Sequence, residues 1–315
     1  MSNKISSKYY WQEREKLPRT SVLICTYNRG LLIDKTLFAL IKLQSRKPDE
    51  IIIVNGGGEN DCRQVLNQWK KVFTSLEIIN TKNKNLASSR NIGLNKCHGD
   101  IILQTDDDAR PFPDWIEKIV KLHLKYPNCG VIGGRVIDAS KRTFLSKIAD
   151  ISTFPSYSTV RKVRSIPGVN SSYKKQVINN VGKYDETLFR GEDVDYNWRV
   201  KLIGWDILYH PELKVKHIHR PTWKSLLYQH FMYGRAYYLV RKKWPEMYSF
   251  YPPSISSVST FLKLIASWTF VPFLDAISKA KMLNTHPNGF EILTILIINI
   301  SNRIGITVEW WSNRK

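Results

Sequence analysis

Apolar residues along the chain fall into short unbroken runs separated by stretches of helical spacing, and this alternation predicts most of the fold. Residues 21–27 (SVLICTY) form a run of buried-strand length that ends in Asn28, Arg29 and Gly30, and residues 31–43 carry apolar positions at helical intervals. The pattern recurs. Residues 50–54 (EIIIV) break at Asn55 and three glycines, after which Val65, Leu66, Trp69 and Phe73 mark a helix over 62–73. A third strand over 76–79 leads to NLASSRNIG at 85–93. A fourth, over 100–105, runs into Asp106, Asp107 and Asp108, with a helix expected from about Pro113. Strands alternating with helices predict a mostly parallel sheet with right-handed crossovers. In such a sheet the polar clusters at strand carboxyl ends meet along one ligand-binding edge: Thr26 to Arg29, Asn55 to Gly58, and Asp106 to Asp108.

The second half is less regular. A strand is expected over 129–136, then an irregular, basic, Ser/Thr-rich insertion over 137–166 at the rim of the site. A helix follows near 174–181, and the acidic stretch from Arg190 to Asp195 opens another that runs to about Ile203. Next come a strand over 205–210, a turn at Pro211, and a strand that puts His217 and His219 on one face. Residues 225–243 mix aromatic and cationic side chains at helical spacing. Beyond them two strongly apolar charge-free runs, 264–274 and 292–302, are 11 residues each, short of the roughly 17 to 25 that a spanning helix needs. Leu293, Leu296, Ile297, Ile300, Ile304 and Val308 share one helical face ending in Trp310 and Trp311, so a helix lying in a membrane interface is expected. The expected division is an N-terminal arm (1–17) bearing Tyr9, Tyr10 and Trp11, a catalytic domain (18–223) and an amphipathic helical region (224–315).

Charge narrows the partners. An excess of 48 Lys and Arg over 27 Asp and Glu, a formal +21, favours anionic membrane faces and phosphorylated ligands. Nucleic acid is not an expected partner, because an acidic triplet in the main cleft repels phosphate unless it holds a metal. Cys25, Cys62, Cys97 and Cys129 contain no C-x-x-C pair, so neither a thiolate zinc site nor a redox dithiol is expected, and reduced thiols in a cytoplasmic protein are. The first twenty residues lack the apolar core of an export signal. Neither G-x-G-x-x-G after the first strand nor a G-K-[ST] loop is present, which disfavours dinucleotide oxidoreductases and ATPases.

The acidic triplet is the main candidate for chemistry. Adjacent carboxylates repel by roughly 2 to 3 kcal/mol per pair at about 6 Å and an effective dielectric near 20, a cost that a divalent cation offsets. In extended backbone Asp106 and Asp108 can converge on one ion while Asp107 turns toward another partner, such as a ribose hydroxyl. Oxygen ligands point to Mg2+ or Mn2+. The competing explanation is a solvated acidic turn capping a helix. Likewise Glu192, Asp193 and Asp195 either cap a helix start or supply a general base.

Together SVLICTYNR, the loop after EIIIV, NLASSRNIGL, the triplet after a strand, and the block from GVNSSYKKQ to KVKH resemble the family 2 glycosyltransferases over about residues 18–241. The resemblance implies a GT-A fold, a Rossmann-like and mostly parallel α/β sheet flanked by helices, here followed by a helical, membrane-interfacial extension. It implies inverting transfer from a nucleoside-diphosphate sugar, with Asp106 and Asp108 as the D-x-D metal motif and Asp193 as base. His217 matches a histidine that also reaches the metal. Donor binding falls to Thr26, Tyr27, Asn28, Arg29, Asn55, Arg90, Asp106 and Asp107, with Arg90 either on the phosphates or in a salt bridge. Glu192 and Asn170 fall on the acceptor side. Asn55 departs from the family, which has aspartate there to accept the uracil imide proton. The asparagine carbonyl can still accept it, so UDP is the first donor expected, with GDP and dTDP open. The implied setting is the inner face of the membrane, where a peripheral cytoplasmic enzyme transfers to a glycan or lipid-linked acceptor in cell-surface polysaccharide synthesis. The alternatives are a nucleotide-sugar-binding protein without turnover, or a soluble transferase acting on a protein or small molecule.

Overall fold

Strand β1 (Thr20–Thr26) alternates its side chains between two apolar layers, and the rest of the sheet is built around it. In the computed structural model, residues 17–29, 32–57, 62–139, 143–218, 222–247 and 256–313 are described. β1 lies between β2 (Glu50–Asn55) and β4 (Ile101–Gln104), and β3 (Leu76–Asn80) flanks β2, all parallel. Val22 and Ile24 face a layer formed by α1 (Leu32–Ile41), α2 (Arg63–Val72) and α4 (Trp115–Lys125). Leu23 faces α3 (Leu86–Leu94), α6 (Lys175–Val181) and α7 (Glu192–Leu202). Strands buried on both faces read as unbroken apolar runs, and each fully buried Ile or Leu contributes about 1.5 to 3 kcal/mol. The sheet continues through β8 (Ser171–Lys174), antiparallel to both β4 and β6 (Cys129–Asp138), and then through β9 (Asp206–His217), parallel to β6. β5 (Ala109–Pro111) and β7 (Arg161–Lys162) pair antiparallel with β9, making nine strands among the described residues.

Three expectations change. Residues 109–111 form a strand rather than a lead-in to the helix, which starts at Trp115. The two strands expected around Pro211 are one strand, because β9 absorbs Pro211, Glu212 and Leu213 where its register against β6 shifts between Gly134 and Arg135. A bulge suits proline, which has no N–H to give to the ladder. The insertion over 137–166 is not irregular: Thr143 caps α5 (Phe144–Thr153) by accepting from the Ser146 amide, and β7 follows. His219, Gly30, Gly58 and the aromatic arm residues Tyr9, Tyr10 and Trp11 lie outside the described residues.

The C-terminal region holds α8 (Trp223–Lys243), α9 (Val258–Trp268), α10 (Phe270–Leu283) and α11 (Gly289–Ser312), with capping boxes starting α8, α9 and α11. Ile148 and Ala149 of α5 pack with Leu226, Ala276, Ile295 and Ile298, so the inserted helix is the floor on which the C-terminal helices rest. α8 and α11 cross at two glycines. A Cβ on Gly234 would lie 1.9 Å from the Asn302 carbonyl oxygen, and one on Gly305 would lie 2.0 Å from that of Phe231. Arg235 and Glu309 close the crossing with a 2.7 Å ion pair. α11 therefore buries Ile295, Ile298 and Ile306 while Leu293, Ile297, Ile300, Ile304, Val308 and Trp311 remain exposed, most of the apolar face expected from the sequence; Leu296 and Trp310 of that face turn partly inward against the neighbouring helices. The helices exceed the charge-free runs: residues 258–283 and 289–312, 26 and 24 long, are long and apolar enough to cross a bilayer by length and composition. They continue through Lys263 and Arg303, which the run lengths stopped at.

Candidate active site

Register places the candidate metal ligands together. β1 pairs with β2 and β4 so that Thr26, Asn55 and the end of β4 lie on one edge. β5 then pairs Ala109 with His217, which sets the imidazole beside the acidic triplet. Ligand atoms of Asp106, Asp108 and His217 lie within 4.8 Å of one another. His217 Nε2 is 3.1 Å from Asp108 Oδ1 and 4.0 Å from Asp106 Oδ2, and the Phe154 ring packs edge-on against the imidazole. Burial, and then Asp108, raise the Asp106 carboxyl. For Asp108 burial works in the same direction, but His217 and Arg29 outweigh it and pull the carboxyl down to about 2. Burial lowers His217, yet the close Asp108 contact and the charge of both carboxylates hold it above its usual range. Asp108 Oδ1 is buried with His217 as its neighbour and accepts no well-formed hydrogen bond. A divalent cation fits this donor set of two carboxylates and an imidazole.

Asp107 turns the other way, as period two requires, onto Thr26 and Arg29 at the wall of the neighbouring cavity. Its carboxylate accepts from Thr26 Oγ1 at 2.7 Å and Arg29 Nη1 at 3.1 Å, and burial pushes it up to about 6. Asp107 thus ties β1 to the end of β4. Asn28 adopts a left-handed φ of 56°, tolerable for asparagine, and the chain turns there so that Arg29 reaches Asp107 and Asp108. Asn55 is also committed: its amide donates to Asn80 Oδ1 and accepts from the Gly57 N–H, each at 3.0 Å, so it shapes the loop and lines neither cavity at the site.

The second acidic centre lies across the cleft at the start of α7. Asp193 Oδ2 accepts from the Gly168 amide at 3.1 Å and Oδ1 from Val194 N–H at 2.8 Å, which fixes the carboxylate in the cavity wall. Glu192 also lines this cavity and is paired with Arg90 at 2.6 Å, both nearly fully buried, so Arg90 is in a salt bridge. Gly168 passes so close that a Cβ there would lie 2.0 Å from Arg90 Nη2. Asn170 does not reach the cavity: it is fully buried, accepting from Trp115 Nε1 and donating to the carbonyls of Arg135 and Leu213. Asp195 is structural too, held by Arg199, Lys243 and Trp244.

Two adjoining cavities meet at Arg29, Leu86, Asp106 and Arg190. The first, about 540 Å³, is walled by Thr26, Tyr27, Asn28, Asn83 and Asp107. Tyr27 is half exposed there, with its ring and Asn83 both against Gly56. An aromatic face and an amide at a strand carboxyl edge suit a nucleoside. The second, about 320 Å³, holds Asp108, His217, Glu192 and Asp193 together with Phe154 of the insertion and Gln229 and Tyr233 of α8. Sequence reasoning missed Asn83, Phe154, Arg190, Gln229 and Tyr233. Asn83 had a weak signal, a polar run following β3, whereas α8 read as part of a separate region beginning at residue 224.

The family model for glycosyl transferase family 2 matches residues 21–182. A probable glycosyltransferase of Bacillus subtilis, YdaM, is 28% identical over 229 residues, covering 68% of this chain and 54% of the relative. The glucosyl-dolichyl phosphate glucuronosyltransferase of Haloferax volcanii is 29% identical over 186 residues, 56% of this chain and 58% of that one. The chain spans little more than half the length of these curated relatives. Among solved structures, the mannosyltransferase PcManGT from Pyrobaculum calidifontis, in complex with GDP-Man and Mn2+, has a TM-score of 0.65 at 14% identity, covering 94% of this chain and 88% of that one. That likeness shows a shared fold.

Proposed function

Because the chain belongs to glycosyl transferase family 2 and has a GT-A fold, we propose that it is a metal-dependent, inverting glycosyltransferase taking its sugar from a nucleoside diphosphate, with UDP the first donor to assay and GDP and dTDP next. The observation that carries this reading is that Asp193 faces the same cavity as Asp106, Asp108 and His217. A divalent cation held by those three residues supplies Lewis-acid stabilisation of the diphosphate leaving group when bound. Tyr27 and Asn83 flank the nucleoside, and the sugar enters the second cavity. Asp193, oriented by the Gly168 and Val194 amides, takes the proton of the acceptor hydroxyl as that oxygen bonds to the anomeric carbon. The bond from that carbon to the phosphate oxygen breaks on the opposite face, and the nucleoside diphosphate leaves with the electron pair. One displacement inverts the centre.

The acceptor reading is a lipid-linked or surface glycan met at the cytoplasmic face of a membrane. Its support is the exposed apolar face of α11, with Phe261 and Ile265 of α9 and Phe273 of α10 also exposed, in a chain of net charge +21. α8 connects that surface to the cavity, since it packs on α11 and carries Gln229 and Tyr233.

The test is a screen of nucleotide sugars for metal-dependent release of nucleoside diphosphate, followed by Asp193→Asn. The variant keeps size and capping but cannot take a proton, so donor affinity by calorimetry stays near wild type while transfer falls about 10²-fold or more. Near-normal turnover, or joint loss of donor binding and fold, refutes the base assignment.

A further inference from the structure

Arg190 stands where the two cavities meet, in the loop before α7, and lines both. The other arginines of the cleft are neutralised: Arg29 by Asp107 and Asp108, Arg90 by Glu192. Among the described residues Arg190 has no carboxylate partner. Its guanidinium lies over the ring of Tyr233 from α8, 5.6 Å from the centroid. Tyr233 is held in turn: its hydroxyl accepts from Gln229 Nε2 at 2.8 Å, and the His230 ring meets it edge-on. A half-buried arginine stacked on a pinned aromatic keeps its charge and gives up few rotamers on binding an anion.

We infer that Arg190 is a second cation for the donor's diphosphate, additional to the metal site and positioned by Tyr233. This rests on the nucleotide-sugar reading. A donor with its nucleoside by Tyr27 and its sugar by Asp193 passes its phosphates through the junction, beside Asp106 and Arg190. The surroundings there are strongly acidic, with Asp106, Asp107, Asp108, Glu192 and Asp193 around the two cavities. As the anomeric bond breaks the leaving group gains negative charge, and an arginine not already paired can answer that charge with two parallel N–H donors. Because Tyr233 precedes Gly234, where α8 crosses α11, the C-terminal helices set the position of this cation.

Calorimetry separates this contribution from that of the metal. UDP, GDP, dTDP and the corresponding nucleosides are titrated into the full chain in chelator and again in Mn2+, with Arg190→Gln, Arg190→Lys, Tyr233→Phe and Tyr233→Leu compared by thermal melting. Arg190→Gln should weaken the diphosphate that binds wild type by about 10- to 100-fold in both conditions, leave its nucleoside within about twofold, and lower transfer at saturating acceptor. Arg190→Lys should recover part of the loss. Tyr233→Phe, which keeps the ring, should bind like wild type, while Tyr233→Leu should lose about three- to tenfold. Equal diphosphate affinity in wild type and Arg190→Gln overturns the inference, as does an equal loss for nucleoside and diphosphate. So does an effect confined to the KM of the acceptor. If wild type binds none of the three diphosphates, the donor reading itself falls and takes this inference with it.

Discussion

Gly234→Ala tests whether the C-terminal helices are a packed part of the enzyme, because close packing and helix propensity predict opposite signs. In an open helix Ala is favoured over Gly by about 1 kcal/mol, so a loosely attached α8 would be stabilised. At the crossing seen here the new methyl would lie 1.9 Å from the Asn302 carbonyl oxygen and 3.0 Å from the Ile306 amide nitrogen. Ordinary contact is about 3.4 Å, so the helices must part by about 1.5 Å. Both partners are backbone and no side chain can rotate aside, which places the cost at the upper end of the usual overpacking range, about 3 kcal/mol. The net is a loss of about 2 kcal/mol, or a fall of about 3 °C in melting temperature for a chain of this size. Gly289→Ala is the control, since nothing lies within 4 Å of a Cβ there, and it should be neutral or stabilising. The displacement begins next to Tyr233, so transfer should also fall, by about tenfold or more for a shift of this size. Melting curves and initial rates on the same preparations decide the matter. A Gly234→Ala variant that melts at or above wild type refutes the packed crossing and the coupling of α8 to the site.

Metal binding should weaken as pH falls. Asp108 and Asp106 hold His217 above its usual pKa, so below that value a proton competes with the cation for the imidazole, by up to about tenfold per unit of pH. Titrating Mn2+ by electron paramagnetic resonance from about pH 8 to about pH 6 should show this, with His217→Gln binding more weakly and with a shallower slope; a flat wild-type profile refutes His217 as a ligand. Membrane association should depend on the outer face of α11 and not on its presence as a whole. Changing Leu293, Ile300 and Trp311 together to Ser should lower binding to anionic vesicles about tenfold or more with no change in melting temperature. Deleting α11 is a poorer test, because it uncovers the buried contacts of α8. Unchanged vesicle binding by the triple variant rules this face out as the anchor.

The sequence by itself determined the layers and the chemistry available. SVLICT, EIIIV and IILQ read as strands because strands buried on both faces are unbroken apolar runs, and the polar residues that end them fall at the carboxyl edge in any parallel sheet. The acidic triplet, the base candidate at a helix start and the apolar stripe from Leu293 to Trp311 were legible for the same reason: each is set by local periodicity. Which partner each polar group takes was not local. His217 lies 109 residues after Asp108, and only the pairing of the three-residue strand β5 with β9 joins them. Asn55, Asn170 and Glu192 have the residue types of a ligand site, yet Asn80, Trp115 and Arg90 respectively engage them. α8 looked like an appendage, and two glycines 71 residues apart bring it against α11. Periodicity fixes which face of an element is apolar, but a hydrogen bond or a backbone contact depends on distances between elements, and those are fixed when the layers pack.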